Sequence, residues 1–161
     1  MIFQRQHTLK EAISFEGVGL HTGKHSRIVV HAAPENTGII FVCEDFSPQV
    51  EIPAHVDYVV DLMRSTTLGK GEARVYTVEH LLAALVGTGV TNARISIWGP
   101  EVPILDGSAK PFVEAIARVG LQPQKAEQHY YVIEEPVHYQ DKQRGVDVAA
   151  LPFEGFRATV M

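Results

Sequence analysis

The chain changes its hydrophobic period twice, and this constrains its fold more than any other feature. Through the first third, apolar positions come in short β-branched or alternating runs, Arg27–His31, Ile39–Cys43 and Glu51–Ile52. Turn chemistry at Gly17-Val18-Gly19, Pro34–Gly38 and Ser47-Pro48 separates them, the pattern of a β-rich region. From Val78 the period lengthens: Val78, Leu81, Leu82, Leu85 and Val86 fall at i, i+3, i+4, i+7 and i+8, the stripe of an amphipathic helix. Thr77 stands where an N-cap belongs, and Gly87 or Gly89 can end the helix. Alternation returns in Ala93–Trp98. A second helix is predicted from Ser108 as cap, with Pro111 in the first turn, Phe112, Ile116 and Val119 at helical spacing, and Gly120 as stop. The expectation is an α+β fold: residues 1–125 form a two-layer domain of a β-sheet packed on two helices.

The stretch 121–128 is polar and contains Pro123, which reads as a connection between domains. Beyond it, Tyr130–Ile133, Val137–Tyr139, Val146–Ala150 and Phe156–Val160 are strand-like with no helix after them. Residues 126–161 are therefore expected to be the first strands of a second, similar domain that is truncated, with the chain ending in mid-strand. The open edges of such a sheet favour self-association.

Composition closes off several functions. Fourteen Lys and Arg against nineteen Asp and Glu give a formal charge of −5, so no basic field draws in nucleic acid. Cys43 is the single cysteine; it forms no internal disulfide, and a zinc cluster built from cysteines is excluded. No run of about 18 apolar residues occurs, and the first residues lack the apolar stretch of a leader, so no transmembrane segment is predicted and a cytoplasmic location is expected. The eight histidines are the one compositional excess.

The sharpest local motif is Thr77-Val78-Glu79-His80-Leu81-Leu82. It sets Glu79 and His80 in a first helical turn, where free backbone N–H groups favour a carboxylate. Away from the leucine stripe the helix carries Ala83, Ala84 and Gly87, small residues that let something pack closely or a ligand approach. A glutamate beside a histidine suits a metal hydrolase, with imidazole as ligand and carboxylate as base. The same pair also reads as a capping glutamate next to a hydrogen-bonded histidine, and no HExxH or other two-ligand spacing surrounds His80. His21, in the turn-rich Gly17–Gly23 segment, is placed to reach a cleft or simply sits in a loop. His7, His25, His31, His55, His129 and His138 show no ligand spacing. Asp106-Gly107-Ser108 reads as a turn into a helix. Gly69-Lys70-Gly71 and Gly17-x-Gly19 lack the remainder of a phosphate loop or a dinucleotide fingerprint, and no Gly-x-Ser-x-Gly elbow exists.

Taken together, Gly17–Gly23, Asn36–Ile39, Thr77–Leu85 and Glu101–Phe112 resemble a known family in order and over nearly the whole chain. It is the zinc-dependent UDP-3-O-acyl-N-acetylglucosamine deacetylases of lipid A synthesis in Gram-negative bacteria. The resemblance implies two similar α+β domains with the active site at their junction. It implies His80 as one zinc ligand and Glu79 as the general base that takes the proton of the attacking water. It places Leu20, His21 and Met63 along the cleft for a UDP-linked, acylated amino sugar. Two departures stand out. Val42-Cys43 replaces basic residues common in relatives, and the His-Lys-x-x-x-Asp segment that supplies the other zinc ligands has no counterpart after His80. The resemblance thus implies an N-terminal portion, inactive alone; the competing expectation is a non-catalytic binding domain that keeps the scaffold.

Overall fold

A computed structural model describes residues 4–160; Met1–Phe3, the start of the stretch read for a leader, and Met161 lie outside the described residues. The chain divides into two compact units, Arg5–Glu127 and a second made of the residues outside that span.

In the larger unit the strands are β1 (Arg5–Leu9), β2 (Ile13–Val18), β3 (His25–Ala32), β4 (Ile39–Cys43), β5 (Val50–Pro53), β6 (Val59–Asp61), β7 (Thr67–Lys70), β8 (Ala73–Val75), β9 (Ala93–Trp98) and β10 (Leu121–Glu127). The helices are α1 (Glu79–Thr88), between β8 and β9, and α2 (Lys110–Val119), between β9 and β10. The result is a mixed fold of two helices and several sheets. The principal sheet has the order β2-β3-β9-β4-β5, with β6-β7-β8 and β1-β10 forming smaller ones. Within the principal sheet only β4 and β9 run parallel.

Alternation explains the strands. Ile28 and Val30 of β3 and Ala93, Ile95 and Ile97 of β9 are buried, while Arg27, Arg94 and Trp98 face outward. Arg27 and Trp98 are register partners, and the guanidinium lies 5.3 Å from the ring centroid, a cation–π pair across the strands. Helix α2 buries Phe112 and Ile116 against the core, where Phe15 of β2 meets Phe112 edge to face with centroids 4.8 Å apart.

Several expectations change, the Ser108 cap among them, since Ala109 precedes α2 with no side-chain cap. Thr77 does not cap α1: its φ is 57°, its hydroxyl points elsewhere, and Val78 precedes the helix with no side-chain cap. Leu81, Ala84 and Leu85 form the buried stripe, so Ala84 belongs to the core. Val86, two residues on, is turned by about 200° at 100° per residue and is 71% exposed. The polar stretch after α2 is the strand β10, antiparallel to β1 with Thr8 opposite Gln122 and Leu9 opposite Leu121. Its polarity has a use: Asn92, fully buried, donates from Nδ2 to Gln124 Oε1 and Gln6 Oε1, each at 2.8 Å. Helix α1 ends at Gly89, the second of the two candidate stops, whose φ of 90° suits glycine alone.

In the smaller unit β11 (Val137–Asp141) and β12 (Val146–Ala150) pair as an antiparallel hairpin, turned where Asp141 Oδ1 accepts from the N–H groups of Gln143 and Arg144. Residues 130–133 and 156–160, predicted as strands, are irregular; β-branched and aromatic composition gives a strand only where a ladder forms.

Candidate active site

Glu79 and His80 open α1, both half-buried. The chain enters the helix from β8 through Tyr76 and Thr77, and the Val78 N–H donates to Thr66 O at 3.3 Å. The Thr66 N–H in turn donates to Glu79 Oε2 at 3.0 Å, which fixes one carboxylate oxygen and leaves the other as an acceptor. That contact also ties the segment holding Met63, which is 77% exposed, to the start of α1. No hydrogen bond or ion pair of the His80 ring is seen among the described residues.

Leu20 and His21 sit in the loop between β2 and β3, both exposed. The loop closes on itself through Gly19 N–H to Lys24 O at 2.9 Å and Gly23 N–H to Gly19 O at 3.1 Å. What anchors it is a residue that sequence reasoning passed over. Glu101, fully buried, accepts at Oε1 from His21 N–H (3.0 Å) and from the Thr77 hydroxyl (2.6 Å). Its Oε2 accepts from Thr22 N–H (2.8 Å) and the Thr22 hydroxyl (2.7 Å). Thr77 fails as a helix cap for this reason: a hydrogen bond to a buried carboxylate outweighs one to a helical N–H. Burial alone would raise the Glu101 pKa, but the hydrogen bonds from Thr77, His21 and Thr22 more than offset it and hold the carboxyl below its ordinary value. Gly19 is required by space: a Cβ there would lie 2.2 Å from Glu101 Oε2. The sequence signal was available, a lone carboxylate inside the apolar run Trp98–Leu105 directly after a strand.

Three of the sequence-predicted regions are therefore joined by hydrogen bonds: the Leu20–Thr22 loop to Thr77 through Glu101, and the segment after Met63 to Glu79. Among the described residues no three metal-capable side chains come together; the His80 imidazole is a side chain of the type that ligates zinc. A separate cleft of about 360 Å³, lined by Lys24, Cys43, Asp45, Phe46, Arg74 and Tyr76 among others, does not include the Glu79–His80 pair. Burial, with the charges of Asp45 and Glu44, pushes the Cys43 thiol up to about 11, which disfavours the nucleophilic thiolate.

The mixed α/β domain thus places a carboxylate and an imidazole at consecutive positions of a helix start, linked through Thr77 and Glu101 to the loop that carries His21. Residues 6–161 match the family model described as "LpxC: UDP-3-O-acyl N-acetylglycosamine deacetylase", and the chain belongs to that family. It is 48% identical over 156 residues to the bifunctional enzyme LpxC/FabZ of Chlorobaculum tepidum, covering 97% of this chain and 33% of that protein. It is 50% identical over 137 residues to a UDP-3-O-acyl-N-acetylglucosamine deacetylase of Geobacter sp. strain M21, covering 85% and 44%. A Legionella pneumophila protein of the same name is 45% identical over 155 residues, covering 96% and 50%. The chain thus spans half or less of these relatives. No helix is long and apolar enough to cross a membrane among the described residues.

Proposed function

We propose that this chain is the N-terminal portion of a zinc-dependent cytoplasmic hydrolase that removes the N-acetyl group from UDP-3-O-acyl-N-acetylglucosamine in lipid A synthesis of a Gram-negative bacterium. The observation that carries the proposal is the adjacency of Glu79 and His80 at the start of α1, with one Glu79 oxygen held by the Thr66 N–H. Glu79 is the general base: its remaining oxygen takes the proton of the water that attacks the acetamide carbonyl. His80 is one metal ligand, and the others come from the part of the relatives that this chain does not span. Zinc, when bound, supplies the Lewis acidity that amide hydrolysis needs. Leu20, His21 and Met63 line the path of the UDP-linked, acylated substrate. The architecture in this reading is a two-layer domain, expected from sequence over residues 1–125 and extended by β10 to Glu127, followed by the beginning of a second like it. Exposed Tyr131, Tyr139, Val148 and Phe156 in the latter are covered by the rest of that second domain, or by another copy when it is missing.

The test uses the full-length protein. Glu79→Ala should lower turnover by about 10²- to 10⁴-fold, the usual worth of a general base, with zinc retained, while His80→Ala should lose zinc. Equal zinc loss in both variants would overturn the division of roles. The 161-residue chain should neither turn over nor hold stoichiometric zinc; full activity from it would refute the assignment of ligands elsewhere. A non-catalytic domain, the competing reading, predicts no turnover from the full-length protein either.

A further inference from the structure

Glu101 is a buried carboxylate with no cationic partner among the described residues; its charge is met by two backbone N–H groups of the β2–β3 loop and two threonine hydroxyls. Those donors come from different places. His21 and Thr22 belong to the loop that carries Leu20, whereas Thr77 lies two residues before Glu79. Thr77 holds a left-handed φ of 57°, a conformation a β-branched residue adopts only when its surroundings impose it. The backbone of the residue before it is also fixed to both neighbours of Glu101, by Tyr76 N–H to Pro100 O at 3.0 Å and Val102 N–H to Tyr76 O at 3.1 Å. The space is cut to fit, since only glycine at position 19 lets the loop close over the carboxylate.

We propose that Glu101 is a positioning residue that makes the Leu20–Thr22 loop and the entry to α1 one mechanical unit, so that a substrate engaging the loop and the base that deprotonates the attacking water hold a fixed relation. This rests on the role proposed above for Glu79. Glu101 touches neither substrate nor the reacting atoms; it acts by holding both of the groups that do. Electrostatically, four donors converge on an anion whose loss by protonation or amide substitution sets loop and helix entry free together.

The experiment uses the full-length protein carrying Glu101→Gln, Thr22→Val or Thr77→Val, with hydrogen exchange and kinetics read side by side. The amide introduced by Glu101→Gln would turn a donor toward donors, so peptides spanning the 19–24 loop and residues 76–80 should both exchange about tenfold faster, with β3 and β9 unchanged. Thr77→Val, which removes one hydroxyl at the helix entry, should also loosen the loop, through Glu101 alone. Per zinc-loaded molecule well below its unfolding temperature, kcat/KM should fall with a rise in KM, and Thr22→Val should add little to Glu101→Gln. Exchange confined to the mutated segment, or kcat/KM per zinc unchanged, overturns the proposal. If Glu101→Gln does not fold, the two threonine variants decide it on the same readouts. A wild-type protein without deacetylase activity would sink the functional reading, while the exchange arm, which needs no substrate, still decides the linkage.

Discussion

Glu101 and Cys43 are both buried, yet their ionisation is pushed in opposite directions because one has donors and the other has only carboxylates nearby. For Glu101 the folded pKa lies below the ordinary glutamate value of 4.5, so the unfolded chain binds the proton more readily. Its contribution to stability is full above that value and is lost as the pH falls through the folded pKa. Thermal unfolding of wild type between about pH 3 and pH 7 should show this acid limb, and Glu101→Gln should flatten it; an unchanged slope would assign the limb to other carboxylates. For Cys43, a rise from 9.0 to about 11 means about 100-fold less thiolate near neutral pH, before any loss of access. An aromatic disulfide reagent at about pH 8 should leave it unmodified in the folded protein and label it at once in denaturant. Rapid labelling of the native chain would show that this end of β4 opens.

At the scale of elements, one contact between α2 and the principal sheet is a pair of aromatic rings. Phe112 is fully buried and meets Phe15 at 71° between ring planes, so Phe112→Ala should cost about 3–5 kcal/mol, measured by urea unfolding, with no change in helix boundaries. A loss under about 1 kcal/mol would mean that the site collapses around the cavity. These elements were legible because their causes are local: Ile116 and Phe112 announce α2 by spacing, and Ile95 and Ile97 announce β9 by alternation. Strand β10 was not legible, because Gln122 and Gln124 look like connector residues until Thr8 and Asn92 are opposite them. The site divides in the same way. Glu79 and His80 are neighbours in sequence and were visible as a pair, whereas Glu101 acts on His21 from 80 residues away, and no local pattern carries that distance. Thr77 shows the competition directly: cap chemistry read from its neighbours lost to a carboxylate that only the fold brings near.

For the molecule as a whole, the two units differ in how much they bury. The larger holds the whole buried core, while none of the described residues from Gln128 onward is buried. Limited proteolysis of the 161-residue chain, followed by mass spectrometry, should cut first beyond Glu127 and leave a resistant fragment that starts near Arg5; early cuts between β2 and β9 would contradict this ordering of stability. The pairing of β1 with β10 carries a further consequence. Arg5 and Glu127 are register partners, so the larger unit starts and finishes at the same spot on its own periphery. A module closed in this way behaves as a cassette: it can be copied, transplanted or tethered to a neighbour by a short splice, without rerouting the chain through its interior.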